Sequence, residues 1–129
     1  MRDLKSLAVL CLLAAVCAIA QAEPELNGKW RATFATEGSD GREAEVIIDG
    51  AGGTWMTYAR GNKDKRDACV GRALPIVIAD SGSSTVSLRI EASKALEGCK
   101  DRKARLTRVD AKTLEGEFDN GRVIKLVRQ

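Results

Sequence analysis

The residue types that most often perform enzymatic catalysis are scarce in this sequence. It contains no histidine, which removes the commonest general base and every nucleophile arrangement that depends on one. Two closely spaced carboxylates, Glu43 and Glu45, are the remaining candidates for acid–base chemistry. They alternate with Ala44 and Val46, so we expect both on the solvent face of a strand, without the burial that tunes a catalytic carboxylate. The sequence therefore predicts a protein that is not an enzyme.

A glycine-rich stretch, "DGAGGTW" at 49–55, has the composition of a phosphate-binding loop. The residues that follow it alternate as a strand and open no helix, and no Lys-Ser or Lys-Thr pair follows the glycines, so both nucleotide-binding fingerprints fail. The segment Asp119-Asn120-Gly121 lacks the further acidic residues of a calcium loop. We expect no metal and no cofactor.

Residues 1–22 have the three parts of a secretory signal peptide. A basic start precedes an apolar run at 7–20, and the run ends in Ala20-Gln21-Ala22, small residues typical of a cleavage site. The run is shorter than the roughly 20 residues that span a bilayer, so cleavage is favoured over a retained anchor. The sequence thus predicts one exported domain over 23–129, periplasmic or secreted and not membrane-embedded.

Removal of the signal peptide would leave two cysteines, Cys69 and Cys99. An even pair in an exported domain indicates a disulfide, and closing a loop of about 30 residues contributes roughly 3 to 4 kcal/mol in the chain-entropy model. A metal site built on the same pair would need further ligands, and the chain has no histidine to supply them. We predict a structural disulfide.

The charges are nearly balanced, with 21 basic and 18 acidic residues, which predicts no strong attraction to nucleic acid. A basic cluster nevertheless follows Cys99. Two interpretations stay open for it: a solvated face, or a contact for an anionic partner in which Arg105 takes part. The cluster consists of Lys100, Arg102, Lys103, Arg105 and Arg108.

Large side chains concentrate at 55–58. On a strand, Met56 and Tyr58 share one face and Trp55 takes the other, so one aromatic ring is exposed unless a neighbouring segment covers it. Trp55 and Tyr58 are therefore candidates for contact with a ligand or partner. Packing in the core or against a loop is the alternative.

Eight short segments alternate between apolar and polar residues and are separated by turn-forming residues such as Ser39-Asp40-Gly41 and Asp49-Gly50. This pattern predicts an all-β antiparallel fold, either a closed barrel or a sandwich, and closure is favoured because it removes exposed edges. Pro75 should place its segment at an edge or bulge, or delay the strand to Ile76. Residues 91–99 have helix-forming composition over a turn or two. The eight segments are 29–36, 42–49, 53–60, 72–79, 84–92, 103–109, 113–119 and 122–128.

The stretch "LNGKW" resembles the Gly-x-Trp signature that opens the first strand of the lipocalin and calycin barrels, with Gly28 and Trp30 in its outer places. In that family the tryptophan lies across the closed end of the barrel and packs under an arginine from the last strand. The resemblance implies that Arg128 lies over Trp30, a contact worth roughly 0.5 to 2 kcal/mol. The alternative is that Trp30 is an ordinary core residue at the start of a sheet.

Two functions fit these features. The first is an exported non-enzymatic binding protein whose barrel holds a small apolar ligand. The second is a protein–protein interaction module of the periplasm, such as an inhibitor of a cell-wall-degrading enzyme. A cavity of about 300 Å³ or more would favour the first, and a filled interior the second.

Overall fold

The computed structural model describes residues 25–36 and 39–129, so the predicted signal peptide lies outside the described residues. Eight strands account for most of the described chain, and two 3-10 turns, Asn62–Arg66 and Ala92–Lys94, lie in its two longest connections. No helix among the described residues is long and apolar enough to cross a membrane. The strands are β1 Gly28–Thr36, β2 Ser39–Asp49, β3 Gly52–Thr57, β4 Leu74–Ser81, β5 Thr85–Ile90, β6 Arg102–Asp110, β7 Thr113–Phe118 and β8 Val123–Arg128.

The strands form a closed antiparallel barrel in which each pairs with its neighbours in the chain and β8 pairs with β1. Closure runs from the pair Trp30 and Arg128 to the pair Phe34 and Ile124. The all-β prediction is confirmed, and of the two predicted architectures the structure is the barrel. Because every strand has two partners, the sheet has no free edge to template aggregation.

Alternation along each strand separates the barrel interior from the solvent. In β1, Trp30 and Ala32 are buried while Arg31 and Thr33 are exposed, as the period of two predicted. The largest fully buried side chains come from six of the eight strands, so the interior is filled along most of its length. They are Trp30, Ile48, Leu88, Leu106, Leu114, Leu126, Val46 and Val86.

Two glycines allow strands to approach each other closely. A Cβ at Gly116 would lie 1.8 Å from the carbonyl oxygen of Arg105, and a Cβ at Gly53 would lie 1.9 Å from that of Ile47. Both obstacles are backbone atoms of the neighbouring strand, which cannot move aside as a flexible side chain would. Tight curvature at these two points therefore requires glycine.

Three local predictions differ from the structure. Ser39-Asp40-Gly41 was expected to be a hairpin corner, but β2 already begins at Ser39, and residues 37–38, which connect the strands, lie outside the described residues. Gly41 instead faces the irregularity that shifts the β1–β2 register between Phe34 and Thr36. Residues 91–99 contain only the short 3-10 turn, because nine residues cannot stabilise an isolated helix.

Pro75 is the third difference, since it lies inside β4, paired with Thr54 of β3, in a barrel that has no edge. Pairing with β5 does begin at Ile76, on the side where an N–H of residue 75 would point. There the Pro75 carbonyl still accepts from the N–H of Glu91 at 2.8 Å. Proline has no N–H to donate to the carbonyl of Glu91. That carbonyl accepts instead from the N–H of Lys94 at 3.1 Å. The 3-10 turn thus replaces the missing donor.

We expect Gly116→Ala to destabilise the barrel by about 1 to 3 kcal/mol, because its Cβ would force β6 and β7 apart. Gly82→Ala is the matched control, since its Cβ would meet only an ordinary contact at 3.7 Å from Thr85. Urea denaturation of both variants measures the difference. Equal stability of the two variants would show that the close approach is not needed.

Candidate ligand site at the open end of the barrel

The two ends of the barrel differ in the length of their connections. At one end, hairpins join β2 to β3, β4 to β5 and β6 to β7 through two or three residues each. The other end carries the long connections 58–73 and 91–101, together with the turn at 119–122. We call the first the closed end and the second the open end. An up-and-down barrel places all odd-numbered connections at one end, so the long loops meet there.

Trp30 and Arg128 cap the closed end. The indole is buried, and its Nε1 donates to the carbonyl oxygen of Leu26 at 2.9 Å. The guanidinium carbon of Arg128 lies 4.4 Å from the centroid of the Trp30 ring, within the range of a cation–π contact. Arg128 also donates to the carbonyl oxygens of Asn27 at 2.7 Å and Glu25 at 2.5 Å. The segment before β1 is thereby tied over the end of the core.

Gly28 leaves room for this arrangement. Its φ of 131° is a conformation that L side chains rarely adopt, and a Cβ there would lie 3.2 Å from Nη1 of Arg128. A side chain at position 28 would therefore strain the backbone and press on the guanidinium. The three residues of the sequence resemblance, Gly28, Trp30 and Arg128, lie together.

The open end contains a cavity of about 210 Å³. Three aromatic rings line it: Phe34 from β1, Trp55 from β3 and Phe118 from β7. Their centroids are 5.5 Å apart for Phe34 and Trp55, 5.9 Å for Phe34 and Phe118, and 6.0 Å for Trp55 and Phe118. The tilted and edge-to-face geometries stabilise the cluster. Nε1 of Trp55 donates to the hydroxyl of buried Thr57 at 3.0 Å, so the indole N–H is satisfied inside the wall.

The predicted disulfide is present and lies at this cavity. Cys69 and Cys99 come from the two long loops, with Cα atoms 5.8 Å apart, and both line the cavity. Cys99 is buried and Cys69 packs against the core. The bond therefore holds the two loops at a fixed distance across the open end.

Four cations and no carboxylate are among the residues that line this cavity. Arg42 forms an ion pair with Asp64 at 2.8 Å, and both side chains are only 12% exposed. Arg102 lies 3.8 Å from Asp119 in a more exposed pair. We call the four residues, Arg42, Lys100, Arg102 and Arg122, the basic rim.

One carboxylate anchors each long loop. Asp64 accepts from the backbone N–H of Arg60 at 2.6 Å, and this bond, with the charge of Arg42, lowers the pKa of Asp64 below its ordinary value despite partial desolvation. Asp101 accepts from the backbone N–H and the hydroxyl of Ser93, which lower its pKa in the same way. Both anchors are ionised at neutral pH, so the open end is held in shape there.

The structure does not bring Trp55, Tyr58 and Arg105 together. Trp55 faces the interior and lines the cavity, whereas the Tyr58 ring lies on the outer face, 5.4 Å from the guanidinium carbon of Arg31. That cation partly covers the ring, so Tyr58 is half-buried and not fully exposed. Arg105 is exposed on the outside of β6, in a separate concavity of about 450 Å³ whose lining includes Glu117.

Sequence reasoning missed Phe34, Phe118 and Arg42 as neighbours of Trp55. These residues are far apart in the sequence. They become neighbours of Trp55 because all odd-numbered strands of the barrel run toward the open end. The three aromatic residues lie in the C-terminal halves of odd-numbered strands: Phe34 in β1, Trp55 in β3 and Phe118 in β7. The odd numbering of these strands could have predicted that the rings meet at one end of the barrel. Within the described part of the chain, no group of three or more potential ligands is arranged to hold a metal ion.

Comparison with known proteins identifies the class of fold. No protein-family model matches the chain, and no curated protein matches it. Among solved structures, it is similar to a redesigned beta barrel, with a TM-score of 0.52 and 15% sequence identity over 81% of this chain and 91% of that one. At this identity the likeness shows the fold alone. The protein is a closed eight-stranded antiparallel β-barrel with a disulfide between Cys69 and Cys99.

Removal of the Trp30 side chain should cost about 3 to 5 kcal/mol of unfolding free energy, because the indole fills the closed end and carries the Arg128 contact. Chemical denaturation of Trp30→Ala measures the loss. Tyr58→Ala serves as control and should lose less, since its ring lies outside the barrel. A loss under about 1 kcal/mol for Trp30→Ala would mean that the closed end is sealed by other groups.

The anchor at Asp64 predicts a pH dependence. Because its pKa is lower in the folded protein than the ordinary value of 3.8, its stabilising contribution is complete above that pH and is lost as pH falls through the folded value. Wild type should therefore be more stable than Asp64→Asn at neutral pH, with the difference shrinking below pH 3.8. Denaturant titrations at several pH values test this. A difference that persists unchanged into acid would contradict the assignment.

Proposed function

We propose that this protein is an exported, non-enzymatic binding protein of the lipocalin or calycin kind, which holds the apolar part of a small ligand at the open end of its barrel. The observation that carries the proposal is the cavity between Phe34, Trp55 and Phe118. Aromatic and aliphatic walls are typical of ligand pockets, which occur preferentially in the mouths of β-barrels.

The size of the cavity limits the ligand. About 210 Å³ is below the roughly 300 Å³ expected for a pocket that encloses a drug-sized molecule, because core side chains fill the rest of the barrel. An apolar cavity of about 150 Å³ is nevertheless enough for benzene. The apolar part of the ligand is therefore a single ring or a short chain.

The closed end of the barrel supports the proposed likeness to lipocalins and calycins. Gly28, Trp30 and Arg128 adopt the relation that the lipocalin and calycin resemblance implied, with the arginine stacked on the tryptophan. The predicted signal peptide at 1–22 and the pairing of Cys69 with Cys99 support export to an oxidising compartment, periplasmic or extracellular. The lack of histidine supports a role without catalysis.

A second candidate function is an interaction module that binds another protein through its open-end loops. It is favoured by the filled interior and by the disulfide that fixes loops 58–73 and 91–101 relative to each other. An inhibitor of a cell-wall-degrading enzyme belongs to this class. A lysozyme inhibition assay with the purified protein tests it, and full lysozyme activity at excess protein would count against that target.

Tryptophan fluorescence tests the binding function directly. Trp55 lines the cavity, while Trp30 lies at the opposite end of the barrel, so a ligand at the open end should change only the Trp55 emission. Titration with octanol should give a saturable change in wild type that is absent in Trp55→Phe. Val70→Phe, which enlarges a half-buried side chain in the cavity lining, should weaken binding while the protein stays folded by thermal melting.

No saturable change up to the solubility of octanol would overturn the proposed function. So would a response that is identical in wild type and Val70→Phe, because the probe would then bind elsewhere.

A further inference from the structure

We infer that the ligand of the open end is a small anionic amphiphile: a short apolar chain or ring that ends in an oxyanion such as a carboxylate. This inference rests on the proposed function and adds the charge of the ligand. It comes from the chemistry of the cavity lining, which has aromatic rings on the barrel side and the basic rim around them. A ligand with one apolar and one anionic end matches both parts.

The charge of the lining is not a consequence of overall composition. The chain has 21 basic and 18 acidic residues, yet the sixteen residues that line the cavity include four cations and no carboxylate. The other large concavities differ in this respect. The one near Arg105 includes Glu117 and Asp119, and the one on the outer face near Val123 includes Glu115 and Glu117. Only the open end combines an apolar wall with charge of one sign among these three.

The ion pairs of the rim leave donors for a ligand. Arg42 uses a single nitrogen, Nη2, for both Asp64 and the carbonyl oxygen of Tyr58. Its Nε is buried and has no hydrogen-bond partner among the described residues. A guanidinium has five N–H donors, so Arg42 can donate to a further acceptor without losing Asp64.

Arg102 and Lys100 of the rim are accessible to a ligand. The ion pair of Arg102 and Asp119 is long, at 3.8 Å, and its side chains are 39% and 44% exposed. Exposed pairs of this kind contribute little to stability, so a ligand oxyanion can replace Asp119 at small cost. Lys100 is exposed beside buried Cys99. Charge-assisted hydrogen bonds from these groups are about twice as strong as neutral ones and favour an anionic head.

The test compares octanoate with octanol, which share a chain length and differ in the head group. We expect octanoate to bind about tenfold more tightly at low ionic strength, measured by Trp55 fluorescence, and we expect this preference to shrink as salt screens the rim. The double variant Lys100→Gln/Arg102→Gln should lose most of the preference for octanoate while its affinity for octanol stays the same. These positions are exposed or partly exposed, so the fold should persist.

A matched control removes two charges elsewhere. Lys103→Gln/Lys125→Gln changes net charge equally but lies on the outer faces of β6 and β8. It should leave the preference for octanoate unchanged within about twofold, since neither lysine lines the cavity and both side chains are exposed to water, whose high dielectric weakens their charges.

The outcomes separate this inference from the proposed function. Equal binding of both probes, or tighter binding of octanol, would leave the binding function standing and overturn the anionic ligand. A preference that is lost in the control variant but kept in the rim variant would place the head group on the outer wall and overturn it as well. Failure of both probes to bind would overturn the proposed function and this inference together.

Discussion

The pairing of β1 with β8 is the constraint on which the rest of this structure depends. Once Trp30 lies opposite Arg128 in that register, the sheet is closed, its edges disappear, and the guanidinium stacks on the indole at one end. Closure with an even number of strands also sends every odd-numbered strand toward the other end. The short hairpins and the cap then share one end, and the two long loops share the other, where a single disulfide joins them.

Much of this architecture follows from local patterns in the sequence. Strict alternation specifies a strand and its two faces, and turn residues divide the chain into segments that only a closed sheet pairs without leaving edges. The disulfide follows from the two cysteines, Cys69 and Cys99, that lie outside the predicted signal peptide. The contact of an arginine with Trp30 is what the lipocalin and calycin resemblance implied, and antiparallel order assigns it to Arg128, because the end of the last strand lies beside the start of the first.

The candidate site was harder to predict because alternation does not say which face points inward or which strand ends meet. Trp55 and Tyr58 differ in face, and only the pairing of Trp55 opposite Val46 and Leu74 places it in the interior. Phe34 and Phe118 come from opposite ends of the chain, and their approach to Trp55 is a property of the closed barrel. The position of Pro75 inside a strand was equally hard to predict from local sequence. It depends on the 3-10 turn after β5, which supplies the hydrogen-bond donor that proline lacks.

On the proposed function, the two ends of the barrel divide stability from binding. The closed end and the filled interior stabilise the fold, while the disulfide and two carboxylate anchors hold the loops of a small cavity with aromatic walls and the basic rim. Nuclear Overhauser effects between octanoate and the protein test this division most directly. The account predicts contacts from the terminal methyl group to the rings of Trp55 and Phe118. Contacts confined to the outer face, around Val109 and Val123, would contradict it.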